Sequence, residues 1–198
     1  MSDYTSVAAT VKPLSVAEAK RHLNVTHNED DSLIDDYIGA ATAMLEQRTN
    51  RCFVTQTRIC KLSGFDDPRY VHGREIFLPR SPVASVSSVV YLNSAGTSTT
   101  MSTSDYLVHA DEKPGTISEG YNATWPATYG TANDVTVTYL AGHSTASASV
   151  PANVKQAVRM LVGHWYRNRE AVLTGTISKD IEFGLEALLE GEIVEGYA

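Results

Sequence analysis

Apolar residues recur at three- and four-residue steps near both ends of this chain and at two-residue steps through its middle. Leu33, Ile34, Tyr37, Ile38, Ala41 and Leu45, with Arg48 keeping the step, mark one face of a helix from about Asp30 to Arg51. Its first turns carry Asp30, Asp31, Asp35 and Asp36, and its last turn carries Arg48 and Arg51. That order complements the helix dipole. A shorter helix starts at Ser15, with Val16, Ala19 and Leu23 on one face and Pro13 just upstream. Ser15 and Glu18 form the S-x-x-E pair, in which each side chain satisfies a free backbone N–H of the first turn. Near the C-terminus, Pro151 suits a first helical position. Val154, Val158, Leu161, Val162, Trp165 and Tyr166 then form a stripe reaching about Arg169. Gly175 breaks the chain, and Ile181, Leu185, Leu188 and Leu189 are spaced as one face of a further short helix.

Between these ends the chain is rich in Val, Thr, Ser, Tyr and Gly. Strands are predicted at about Val54–Leu62, Glu75–Leu78, Val83–Leu92, Tyr106–His109, Thr116–Ser118 and Val135–Leu140. Val135 to Tyr139 alternates as a half-buried strand does. Asn93-Ser94-Ala95-Gly96 is a turn, and the Ser/Thr run through Thr103 reads as a loop or hairpin tip. Gly142 to Ser149 is small and polar, a linker back to helix. The fold class expected is α+β: a small helical bundle core of N-terminal helices plus a C-terminal helix, with a β-rich insertion and an extended or helical C-terminal tail. In residues, the N-terminal helices occupy 1–53, the insertion 54–142, the C-terminal helix 143–175 and an acidic docking tail 176–198.

Charge sharpens the picture at the tail. From Ile177 to Ala198, Asp180, Glu182, Glu186, Glu190, Glu192 and Glu195 face Lys179 alone, so this stretch holds −5 of the formal −7. The rest of the chain has 15 basic and 17 acidic residues. A phosphate-gripping DNA binder needs clustered Lys and Arg, so a protein partner is the better expectation. No apolar run approaches the roughly 20 residues that span a bilayer, so no membrane role is expected. Met1 to Lys12 shows no signal-peptide pattern. Cys52 and Cys60 read as reduced, part-buried thiols of a protein made in the cytoplasm.

No nucleotide-binding, hydrolase or zinc motif is present. Neither a catalytic residue nor a cofactor is assigned. His109 and Asp111 lie two apart at a strand end and could offer two metal ligands, but a lone pair of this kind reads better as a surface coincidence. His164 reads as a packing or interface histidine, Asp66-Asp67-Pro68-Arg69 as a turn, and Trp125-Pro126 as a residue pair closing the sheet core. The densest group of large side chains is His164 to Glu170, where aromatics stand beside arginines as they do in protein interfaces. The partner-binding residues expected are therefore Trp165, Tyr166, Arg167, Arg169 and Glu170, with Ile181, Phe183, Leu185, Leu188 and Leu189 of the tail.

Several stretches in order resemble the head–tail adaptor, or connector, proteins of long-tailed phages and gene transfer agents. They are Pro13 to Lys20 with Leu23, the helix opening at Asp31 to Leu33, Phe53 to Gln56, and Leu78-Pro79-Arg80-Ser81-Pro82-Val83 with Ser85-Val86. Trp125-Pro126, Val137-Thr138-Tyr139 with Ala141-Gly142, and Val150-Pro151 through Trp165-Tyr166 and Arg169-Glu170 complete them. The resemblance spans about Pro13 to Glu170. It implies a virion protein at the head–tail junction, in a homo-oligomeric ring of typically twelve subunits beneath the portal protein. Such a ring joins the portal to a tail-side stopper or completion protein, and DNA passes through its channel without specific binding. A stopper or tail-completion protein is the nearest alternative. A small hydrolase or ligand-binding domain is the alternative of another class.

Overall fold

Alternation in Gln56–Leu62 (β2) and Val135–Ala141 (β9) places these segments side by side, antiparallel, with Cys60 opposite Val137 and Leu62 opposite Val135. The inward residues Cys60, Leu62, Val135, Val137 and Tyr139 are all fully buried. In this computed structural model the chain is described over residues 3–169 and 179–194, with the backbone alone for 179–182. Among these residues the remaining strands are β1 (Asp3–Val7), β3 (Val71–His72), β4 (Glu75–Phe77), β5 (Val83–Leu92), β6 (Ser98–Thr100), β7 (Tyr106–His109) and β8 (Thr116–Glu119). They form two antiparallel sheets, one in the order β1-β2-β9-β5-β6 and one in the order β3-β4-β8-β7. Leu62, Phe65, Ile76, Leu78, Val89, Ile117, Val135, Val137 and Tyr139 share one apolar cluster. Each large aliphatic or aromatic side chain there contributes about 1.5–3 kcal/mol relative to exposure.

The described helices are α1 (Val16–Leu23), α2 (Asp31–Thr49), α3 (Ala152–Arg167) and α4 (Lys179–Leu189). The chain divides into two compact units, one of residues 1–10, 50–143 and 194–198, the other of residues 11–49 and 144–193. The first holds both sheets and the second all four helices. In the helical unit α2 packs on α3, and the buried side chains are the periodic ones: Ile34, Ile38, Ala41 and Leu45 from α2, Val154, Val158, Leu161 and Val162 from α3. Ser15 caps α1, with the Glu18 N–H donating to Ser15 Oγ (3.2 Å) and the Ser15 N–H donating to Glu18 Oε2 (2.9 Å). Ser15→Ala should therefore cost about 1 kcal/mol, read as a lower urea midpoint at unchanged slope.

This architecture corrects the expected one. A helical bundle core interrupted by a β-rich insertion is not what forms; among the described residues the protein is β-rich, with two antiparallel sheets and four α-helices. The first strand comes from the N-terminus, ahead of every helix, and pairs with β2, Asp3 opposite Cys60 and Tyr4 opposite Ile59. The reason is physical. Strand pairing is non-local, and β1 is almost wholly exposed, so it shows no hydrophobic alternation of its own. A buried polar network holds it instead. The Asp3 carboxylate pairs with the Arg58 guanidinium, each side chain only 10% exposed, and accepts a hydrogen bond from Tyr139 Oη at 3.2 Å. Thr5 also accepts from Arg58. The Ser/Thr run is likewise more than a loop: Ser98–Thr100 is the edge strand β6, paired with Val90–Leu92.

Candidate functional site

The described residues that sequence marked for partner binding lie at the end of α3 and on both faces of α4. Trp165 is half-buried, its ring 6.1 Å from that of Tyr37. Tyr166 Oη donates to Asp30 Oδ2 (2.6 Å), and Arg169 Nη2 donates to the same oxygen (2.7 Å) while its guanidinium lies over the Tyr166 ring. The Tyr166 hydroxyl, with help from Arg169, holds the Asp30 carboxyl below its usual range. This cluster ties the end of α3 to the start of α2. Of the charges in that group, Arg167 is exposed and makes no part of the clasp. Glu170 lies outside the described residues.

On α4 the apolar residues divide by face. Leu185 and Leu189 are buried, and Leu188 is half-buried with its carbonyl accepting from Asn153 Nδ2 at 3.0 Å. These leucines pack within the helical unit, where α4 lies on α3. Phe183 points the other way and is 75% exposed. The Ile181 side chain lies outside the described residues. Outward with Phe183 stand Glu186, Ala187 and Glu190, a one-face helical spacing. Glu186 pairs with Arg48 at 3.0 Å. The sequence analysis groups Phe183 with the leucines as docking residues; the fold separates them onto opposite faces.

A second feature escaped the sequence reading. Where α1 turns into α2, Val16, Ala17, Lys20, Arg21, Asn24, Val25 and Asp31 help line an open groove of about 750 Å³. Asn24 takes a left-handed conformation (φ 58) that makes the corner. Lys20 Nζ is held at 2.6 Å by Asp31, whereas Arg21 is exposed on the rim. No local motif announces such a groove, because it depends on the turn at Asn24 folding the following loop back along α1.

The other flagged residues are structural. His109 Nε2 lies 2.8 Å from Ser118 Oγ, Asp111 is exposed, and no group of three or more potential metal ligands occurs among the described residues. Trp125 stacks on Phe65 (centroids 4.8 Å apart, planes 4° apart) and its indole N–H donates to the Arg74 carbonyl. Cys52 and Cys60 are free and fully buried, and burial pushes the Cys60 thiol up. Asp66-Asp67-Pro68-Arg69 is a turn whose centre is Asp67, only 1% exposed. Its carboxylate accepts from Arg69 Nε and Nη2 (2.9 and 2.6 Å) and from the Ser63 N–H (2.8 Å).

Arg69, more than offsetting the opposite effect of burial and joined by Ser63, holds the Asp67 carboxyl far below the usual range. A carboxyl depressed in the fold adds stability above its unfolded value near 4, and that stability is lost as pH falls through the folded one. Asp67→Asn should lower the urea midpoint clearly at pH 7. The gap to the parent protein should narrow as pH drops below about 4. A gap of constant size would mean that the charge of Asp67 contributes nothing.

A helix seated on its neighbour through Leu185 and Leu189, with Phe183 held outward, suits a protein that assembles with partners. The head completion protein family matches residues 13–179, and the chain belongs to that family. It is a structural, non-enzymatic virion protein of the head–tail connector kind. Three solved structures share its fold, each covering 98% of this chain and 96% of theirs. They are the neck of an empty GTA particle computed with C6 symmetry (24% identity, TM-score 0.80), the virion of a native gene transfer agent particle (24%, 0.78), and the neck of a native GTA particle computed with C12 symmetry (25%, 0.77). No curated protein matches this chain. Among the described residues no helix is long and apolar enough to cross a membrane.

Proposed function

We propose that this protein forms a ring beneath the capsid portal, joins it to the tail-side stopper or completion protein, and continues the DNA channel between them. It belongs at the head–tail junction of the virion. The observation that carries this reading is the fold match along nearly the whole chain to proteins of GTA necks, together with family membership. A twelve-subunit ring is the version we favour, since one of those necks was computed with C12 symmetry. The contact surfaces are the exposed end of α3, with Trp165, Tyr166, Arg167 and Arg169, and the outer side of α4 with Phe183. Leu185, Leu188 and Leu189 serve by holding α4 in place.

The acidic balance of the chain suits a channel wall. Phosphates are held by Lys and Arg, and a surface short of them lets DNA pass. The test is a particle assembled without this chain. Filled heads that lack tails, with tails restored when the chain is added back, would support the reading. Complete particles assembled without it would overturn the reading.

A further inference from the structure

Resting on the ring reading above, we propose that Phe183 of one copy seats in the α1–α2 corner groove of the next copy. Three observations carry this. First, Phe183 is 75% exposed on a helix whose opposite face is buried through Leu185 and Leu189, so the ring is presented on a fixed support. A large aromatic held out of its own core is the usual anchor of an interface. Second, the groove offers Val16, Ala17 and Val25 with the aliphatic stems of Lys20 and Arg21, and its volume of about 750 Å³ accommodates a phenyl ring with its flanking turn. The chain's own Phe183 does not fill it, being exposed.

Third, the charges match. The outward face of α4 carries Glu186 beside Phe183, exposed Glu190 follows in the 3-10 turn just past the helix, and the groove rim carries Arg21 and Lys20 against Asp31. Arg48 already neutralises part of Glu186, so Glu190 and Arg21 are the pair we assign to each other across the contact. Knob and groove occupy different places on one helical unit. In a ring the contact is heterologous: each copy gives its knob to one neighbour and its groove to the other.

The experiment places a photo-reactive phenylalanine analogue at position 183 of the full chain and irradiates assembled particles. The expected product is a chain–chain adduct whose far end maps to residues 16–31. Arg21→Glu should abolish it, and Arg21→Glu with Glu190→Arg should restore it in part. In solution, Phe183→Ala should weaken self-association about tenfold or more, with the thermal unfolding midpoint unchanged. An adduct to another protein, or to another segment of this chain, would overturn the pairing. A general lysine cross-linker applied to the same particles separates the two readings. Multimers of this chain with a misplaced 183 adduct leave the ring standing and remove only the pairing; no multimers at all remove both.

Discussion

Asp3→Ala is expected to cost the fold about 3–5 kcal/mol, because it leaves the Arg58 guanidinium buried without its carboxylate. Arg58 and Asp3 are each only 10% exposed, so neither charge can turn to water for relief. Tyr139, fully buried, would also lose the acceptor of its hydroxyl. A loss of that size is a large share of the ~5–15 kcal/mol that holds a typical domain together. Arg58→Met should also be costly, though less so, since Arg80 Nε at 3.7 Å and the Tyr139 hydroxyl still face the Asp3 carboxylate. The double variant Asp3→Leu with Arg58→Met should recover much of the loss, as replacing a buried pair by apolar groups often does. Urea midpoints of the two single variants and the double variant form the cycle that measures this coupling. Simple additivity of the single losses would mean that the two residues do not act as a pair.

Gly142→Ala is expected to be comparably severe, at about 3 kcal/mol or more. Gly142 sits just past the end of β9 at φ 128, with its N–H donating to the Pro82 carbonyl at 2.8 Å. A Cβ there would lie 2.5 Å from the Thr55 nitrogen and the Val54 carbonyl carbon. Both are main-chain atoms that cannot swing aside. Gly73 is the matched control: its φ is 66, but a Cβ there meets nothing within 4 Å. Gly73→Ala should cost only the ~1–2 kcal/mol of a left-handed backbone. The difference between the two variants, read from thermal or urea unfolding, combines the contact between backbones with the step from φ 66 to φ 128. Equal losses would show that conformation alone makes Gly142 necessary.

The helices were legible because their signals are local. The capping box at Ser15 and Glu18, the stripe from Leu33 to Leu45 and the Val154 to Tyr166 stripe each lie within a few turns, and each became a helix with that face buried. The alternation of Val135 to Tyr139 was legible for the same reason. Gly142 reads in the sequence as part of a plain linker, since the backbone that crowds it, at Val54 and Thr55 just before β2, is far away along the chain. The candidate contact surface was legible in part. The spacing of Ile181, Leu185, Leu188 and Leu189 makes one helical face legible, but it assigns these leucines, like Phe183, to docking on a partner. They instead complete the helical unit of their own chain.

By itself, then, the sequence determined the four helices, most of the strands, the missing catalytic motifs and the acidic character of the tail. The tertiary structure decided that β1 opens a five-stranded sheet, that Asp3 and Arg58 are buried together, that Phe183 stands outward, and that a groove lies at the α1–α2 corner. The division follows from range. Periodicity, caps and charge runs act between residues a few positions apart, whereas pairing of β1 with β2 or burial of Asp3 beside Arg58 joins positions more than fifty residues apart, and only closure of the fold selects which distant residues meet.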